Sequence, residues 1–254
     1  MSVCGIASGM FPRFNDPMHW QKITLIGVGL LGGSLGLAIK RHRLAARVEG
    51  YVRREASVAE CETLRVVDRA QVDLLSAVKD ADLVVFCTPI ARMLPLAKQM
   101  LPGIRRGAVI TDVGSVKGNV VRDLEPLFAK AGACFIGSHP MAGAEKMGPA
   151  FAKADLFVNA MCVLTPTPNS NPELVGKLEE FWRRIGAIPL RLTPQIHDDL
   201  VSRSSHLPHV VAAELANYVL SPAHPKEQAM LCATGFRDTT RIASGSPEMW
   251  RDIC

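Results

Sequence analysis

The chain is predicted to be an α/β protein, a doubly wound parallel sheet followed by an all-helical C-terminal region. Three observations carry this reading. Short apolar or β-branched runs alternate with helical stretches from residue 23 to about residue 138. A glycine cluster, Gly27-Val28-Gly29-Leu30-Leu31-Gly32, stands between the first such run and the first helical stretch. Beyond Thr193 the strand signals cease. Continuous apolar strands separated by amphipathic helices imply a sheet covered on both faces, the Rossmann-type arrangement, with ligands gathered at the carboxyl ends of the strands.

In chain order, the run 23–26 gives way to a helix near 33–42, 48–51 to 55–64, 83–87 to 91–101, and 109–113 to 118–131. Residues 134–138 read as a further strand. After a less regular stretch come a strand at Met161–Thr165, a proline-bounded turn at 166–172, a helix over 173–185 and a short strand at 188–192. Residues 208–220 are Ala-rich and apolar, with Pro208 where a first helical turn tolerates it.

The glycines have a physical job in this context. The first strand must turn tightly into a helix whose unpaired N-terminal amides and dipole favour an anion such as a pyrophosphate. Gly27 is expected to make the turn, Gly29 to allow close approach, and Gly32 to let the helix pack on the strand. The chain therefore divides into a flexible tail (1–21), a dinucleotide-binding domain (22–193) and a helical substrate or dimerisation domain (194–254).

A carboxylate about 20 residues beyond the glycines would bond the ribose 2′-hydroxyl of NAD. Here the second strand ends Glu49-Gly50-Tyr51-Val52-Arg53-Arg54, so Val52 takes the place of that acid and two guanidinium groups follow. A 2′-phosphate would meet bidentate cations and no repelling charge, which favours NADP, with NAD as the other option.

Bulk properties narrow the partners. With 48% hydrophobic and 21% charged residues, the 254-residue chain is an ordinary globular protein. It has no run of about 18 apolar residues, so no membrane span is expected. Residues 1–21 lack a basic segment leading into an apolar core, so no secretory signal is read there. Seven scattered cysteines with no CxxC spacing argue against a disulfide framework and a zinc site, and suit a reducing cytoplasm. The formal charge of +5 is spread along the chain, so nucleic acid is not an expected partner.

Three polar clusters carry chemistry: Asp112 through Lys117, Ser138 through Glu145, and Ser205 through His209. The first two follow strands and should lie on the ligand side of the sheet, where the Ser115 hydroxyl and the His139 imidazole can share a hydrogen bond. His139 could then take a proton from a substrate alcohol during oxidation. His206 and His209 share a helical face but lack further ligands at convincing spacing, although His197-Asp198 lie nearby in sequence, so no metal is assigned. Arg237 and Arg241, four apart, could present one guanidinium to a carboxylate.

Together these blocks resemble the prephenate/arogenate dehydrogenase family of tyrosine biosynthesis. The resemblance runs from Ile23 to the chain end through the glycine loop, Cys87-Thr88-Pro89, Asp112 to Lys117, Ser138 to Glu145, 164–167, Ser205 to His209, Gly235 to Ala243, and Met249-Trp250-Arg251-Asp252-Ile253. It implies oxidative decarboxylation of prephenate to 4-hydroxyphenylpyruvate, or of arogenate to tyrosine, with hydride passing to NADP or NAD. It assigns His139 as the catalytic histidine, oriented by Ser115. It places Arg241 on a substrate carboxylate, His209, Trp250 and Ser205 beside the substrate, and Glu145 as a gating acid preceded here by Ala144 where some members carry Thr. Cofactor contacts are expected from Gly27, Gly29, Leu30, Leu31, Gly32, Arg53, Arg54, Thr88 and Pro89. Relatives continue beyond the position of Cys254 through helices that build a dimer interface, so the resemblance implies a shortened C-terminal domain and a homodimer in the full-length protein.

Two rivals remain at this point. A β-hydroxyacid or imine reductase shares the architecture but commonly relies on a lysine in its helical domain, and none lies between Thr193 and His224. A non-catalytic NADP-binding protein would keep the sheet domain without needing His139.

Overall fold

The structure, a computed structural model, describes residues 20–143, 146–220, 223–245 and 250–251. In chain order the first part runs β1 (Trp20–Ile26), α1 (Leu30–Arg41), β2 (Ala45–Tyr51), α2 (Ala56–Thr63), β3 (Arg69–Gln71), α3 (Leu74–Val78), β4 (Leu83–Phe86), α4 (Ile90–Met100), β5 (Val109–Asp112), α5 (Gly118–Lys130) and β6 (Cys134–Phe135). The six strands form one parallel sheet in the order β3-β2-β1-β4-β5-β6, the order of a doubly wound dinucleotide fold with its switch point between β1 and β4.

Alternation along the strands explains the two covered faces. Ile23, Leu25, Leu83, Val85 and Val109 pack into one core, with Leu35, Ala38 and Ile39 of α1. Their neighbours Ile26, Val84, Phe86 and Ile110 point the other way, into a second core with α3, α4 and α5. Each such side chain stabilises the fold by about 1.5–3 kcal/mol relative to exposure. Residues 1–19 of the expected tail lie outside the described residues, but Trp20 and Gln21 belong to β1, with Trp20 buried and the Gln21 amide donating to Asp82.

Two expectations need correction. β3 was not foreseen, because Arg69-Ala70-Gln71 buries only Ala70 and offers no apolar run. The strand expected over 134–138 is two strands in different sheets. β6 ends at Phe135, and β7 (Gly137–Pro140) pairs antiparallel with β8 (Met161–Thr165), which pairs parallel with β9 (Ile188–Arg191). Gly137 permits the change, since a Cβ there would lie 2.5 Å from Thr165 Oγ1 and 3.2 Å from Lys117 Cδ.

Between β8 and β9 lies α6 (Pro172–Arg184), started by Pro172 and by Asn171, whose side chain accepts from the Glu173 and Leu174 amides. From Pro194 onward the described residues are helical or in loops: α7 (Pro194–Val201), a π-helical turn at Ser202–His206, α8 (Leu207–Val219), α9 (Pro225–Leu231), α10 (Thr234–Thr240) and a 3-10 turn at Arg241–Ser244. Thr193 caps α7 by accepting from the Ile196 amide. No helix among the described residues is long and apolar enough to cross a membrane.

Candidate active site

The glycine loop closes the carboxyl end of β1. Gly27 has φ of 95°, its amide donates to Tyr51 O at 3.0 Å, and a Cβ there would lie 2.9 Å from Thr88 Cγ2. A Cβ on Gly32 would collide with the Gly27 carbonyl oxygen, so the helix cannot sit this close to its own loop with any larger residue. Gly29, at the start of α1, has open space around the position of a Cβ, and neither a capping side chain nor an acid occupies the first turn. Leu30 and Leu31 are half-buried behind it. Thr88 lies beside this loop with a buried Oγ1 that has no hydrogen-bond partner in the structure, and Pro89 starts α4. Val52 is buried, whereas Arg53 and Arg54 are exposed just past β2.

On the neighbouring strand ends lies a polar core. Asp112 and Lys117 form an ion pair in which both side chains are 0% exposed. Asp112 also accepts from the Gly114 amide at 2.8 Å and the Ser138 amide at 3.1 Å. These bonds tie the β5–α5 loop to β7 and so fix the next residue, His139, which is 8% exposed.

The sequence predicts a bond from this imidazole to Ser115, and the structure has none. The His139 Nδ1 lies 2.8 Å from His197 Nε2, and His197 Nδ1 lies 2.8 Å from Asp198 Oδ1. Asp198 in turn accepts from the Lys117 amide at 2.8 Å and the Gly118 amide at 2.7 Å. Half-buried Ser115 makes no hydrogen bond to His139, whose Nδ1 is taken by His197 of α7. In the sequence His197 and Asp198 stand out only as possible metal ligands. Their placement at the first turn of a proline-started helix after the last strand was the one signal available, and no cluster of three metal-binding residues exists among the described residues.

Burial holds the proton affinity of His139 well below the ordinary imidazole value, helped by Lys117, His197 and His206 and opposed by Asp198. Burial also lowers His206, opposed by Asp198. Burial works to raise the Asp198 carboxyl, but the hydrogen bonds from His197 and from the two amides outweigh it and hold it below its usual value.

The other expected substrate residues form a second group. His209 lies with its ring centroid 4.5 Å from Trp250 and its Nδ1 2.9 Å from the Ser205 carbonyl oxygen. His206 lies edge-on to the same indole at 6.1 Å, and its buried Nε2 has no partner in the structure. Arg241 opens the 3-10 turn that packs on α8. Glu145 lies outside the described residues.

Sheet order and glycine loop together define a doubly wound nucleotide-binding protein. A family profile described as prephenate dehydrogenase, nucleotide-binding domain, matches residues 35–189, and one described as prephenate dehydrogenase, dimerization domain, matches residues 193–254. The chain therefore belongs to the prephenate dehydrogenase family. It is 38% identical to the prephenate dehydrogenase of Bacillus subtilis over 91% of its own length, and it spans 62% of that relative. Among solved structures, prephenate dehydrogenase from A. aeolicus in complex with hydroxyphenyl propionate and NAD+ superposes with a TM-score of 0.85 at 30% identity, covering 92% of this chain and 81% of that one. Arogenate dehydrogenase from Synechocystis gives 0.77 at 33% identity, covering 92% and 82%.

Proposed function

We propose that this chain catalyses the oxidative decarboxylation of prephenate to 4-hydroxyphenylpyruvate with a nicotinamide cofactor, residues 22–193 binding the dinucleotide and 194–254 serving substrate binding and dimerisation. The observation that carries the reading is His139, a buried imidazole of depressed proton affinity in β7, next to Ser138, whose amide bonds to Asp112 at the carboxyl end of β5.

The residues present fit a dinucleotide. The open space at Gly29 and the uncapped start of α1 suit a pyrophosphate, and the orphaned Thr88 Oγ1 offers a hydrogen bond beside it. When bound, the nicotinamide supplies a hydride acceptor for the substrate carbinol carbon. His139 accepts the proton of the ring hydroxyl as the C–H bond breaks. Loss of CO2 then sends its bonding pair through the ring to the new carbonyl oxygen, which takes the proton back from His139 as the phenol forms. Arg241 is assigned to a substrate carboxylate, and Ser205, His209 and Trp250 to the rest of the substrate. Ser115 makes no hydrogen bond to His139 in the structure, and no role is assigned to it.

A coupled assay with prephenate and with arogenate, using NADP+ and NAD+, tests the reading. Reduced cofactor is expected with prephenate, arogenate being the second substrate to try because a 33%-identical structural relative is an arogenate dehydrogenase. Turnover of neither removes the proposal. NADP+ is expected to be preferred, since Arg53 and Arg54 stand exposed where an acid would repel a 2′-phosphate. Replacing both by Ala should weaken NADP+ by roughly ten- to hundredfold, the loss of about 1.5–3 kcal/mol of charged hydrogen bonding, and leave NAD+ unchanged. Equal loss for both cofactors in a binding titration would overturn the NADP assignment.

The partner proposed is a second copy of the chain. Val211 of α8 is 56% exposed and Tyr218 is 83% exposed, while Ala212 is the buried residue of that helix. Such an apolar face suits the dimerisation role named by the family profile.

A further inference from the structure

Both carboxylate oxygens of Asp198 accept from backbone amides, which favours the ionised form, the only one with no proton of its own. The Lys117 and Gly118 amides therefore pin an ionised carboxylate at the start of α5, at 2.8 and 2.7 Å. Asp198 Oδ2 also fills the space where a side chain at position 118 would begin, since a Cβ on Gly118 would lie 2.8 Å from it. The carboxylate is thus fixed by the nucleotide-binding part of the chain, although it belongs to α7.

Its Oδ1 then requires a proton on His197 Nδ1, 2.8 Å away. With one proton on each ring, His197 Nε2 is an acceptor, and the nitrogen 2.8 Å from it, His139 Nδ1, must be the donor. The rings meet at 63° with centroids 5.1 Å apart, an edge-on geometry suited to an N–H···N bond. The proton inventory leaves His139 Nε2 bare.

We propose that His197 and Asp198 are positioning residues that set the tautomer of His139, so that Nε2 faces the substrate hydroxyl as a proton acceptor. The inference deepens the dehydrogenase reading and rests on it for the substrate, but the tautomer can be observed without turnover. It follows that the second part of the chain does more than border the substrate: it carries the acceptor that makes the histidine of the first part a base. Reversed, with the proton on Nε2, His139 could only donate to the hydroxyl and could not relieve it of its proton. The groups that face His139 are Lys117 from the β5–α5 loop, His197 and Asp198 from α7, and His206 from the π-helical turn.

The test is histidine 15N NMR on the full chain, with the His139 signals assigned by their loss in His139→Asn, alongside kinetics of two variants. In the unaltered protein at neutral pH, His139 is expected to show a protonated Nδ1 and a bare Nε2. His197→Leu should move the proton to Nε2 and lower kcat by about 100-fold, with KM changed less than about threefold. His197→Gln places an amide oxygen near the position of Nε2, so it should keep the proton on Nδ1 and recover kcat to within about tenfold of the original. An Nε2-protonated His139 in the unaltered protein overturns the proposal, whatever the variants do. So does an equal loss of kcat in both variants with the His139 proton unmoved, which marks His197 as packing alone. Absence of turnover in the unaltered chain defeats the dehydrogenase reading, while the NMR result still decides the tautomer.

Discussion

Replacing His139 by Asn is expected to lower kcat by about 100-fold or more while leaving the dissociation constant of the cofactor unchanged. The side chain has its Nδ1 held by His197 and keeps 8% exposure in β7. Its depressed proton affinity also fixes the sign of the pH dependence. A base must be deprotonated to act, so the acid limb of kcat/KM should fall below the pH at which an ordinary imidazole titrates, and activity should persist into mildly acidic buffer. The same group destabilises the fold as pH drops, because the unfolded chain binds a proton that the folded site refuses; stability is held above the ordinary imidazole value and lost below it. A kcat/KM profile with an acid limb at or above the ordinary value, or an asparagine variant with unaltered kcat, would remove His139 from the mechanism.

The second large effect concerns Lys117. Its ammonium and the Asp112 carboxylate are both fully buried, and removing one partner leaves the other charge stranded. Lys117→Met should therefore lose about 3–5 kcal/mol of unfolding free energy in a denaturant titration at pH 7. Adding Asp112→Asn should return part of that loss, since the stranded charge goes with it. Because Lys117 lowers the proton affinity of His139, the methionine variant should also shift the acid limb of kcat/KM upward. A single variant as stable as the parent would mean the pair is not held as described.

Much of the nucleotide-binding half was legible because its signals are local. An apolar run, three spaced glycines and a helix follow one another within residues 23–42, and the turn at Gly27 and the tight seat of Gly32 need only neighbours in sequence and the end of β4. The continuous apolar runs separated by helices likewise point to a sheet with two covered faces, which the two cores bear out. β3 escaped notice because its sheet membership comes from pairing with β2, not from its own three residues. The division of residues 134–138 between two sheets escaped for the same reason: β7 is defined by its antiparallel partner β8, whose residue Val163 stands opposite His139.

Sequence pattern alone singles out His139 and the glycine loop, because each follows an apolar, strand-like run. What holds the imidazole emerges only in three dimensions: the partner is His197, 58 positions away, and not the serine that follows β5. A hydrogen bond selects among side chains by distance and direction in space, and the register that sets them is fixed only when α7 docks its Asp198 carboxylate on the amides of α5.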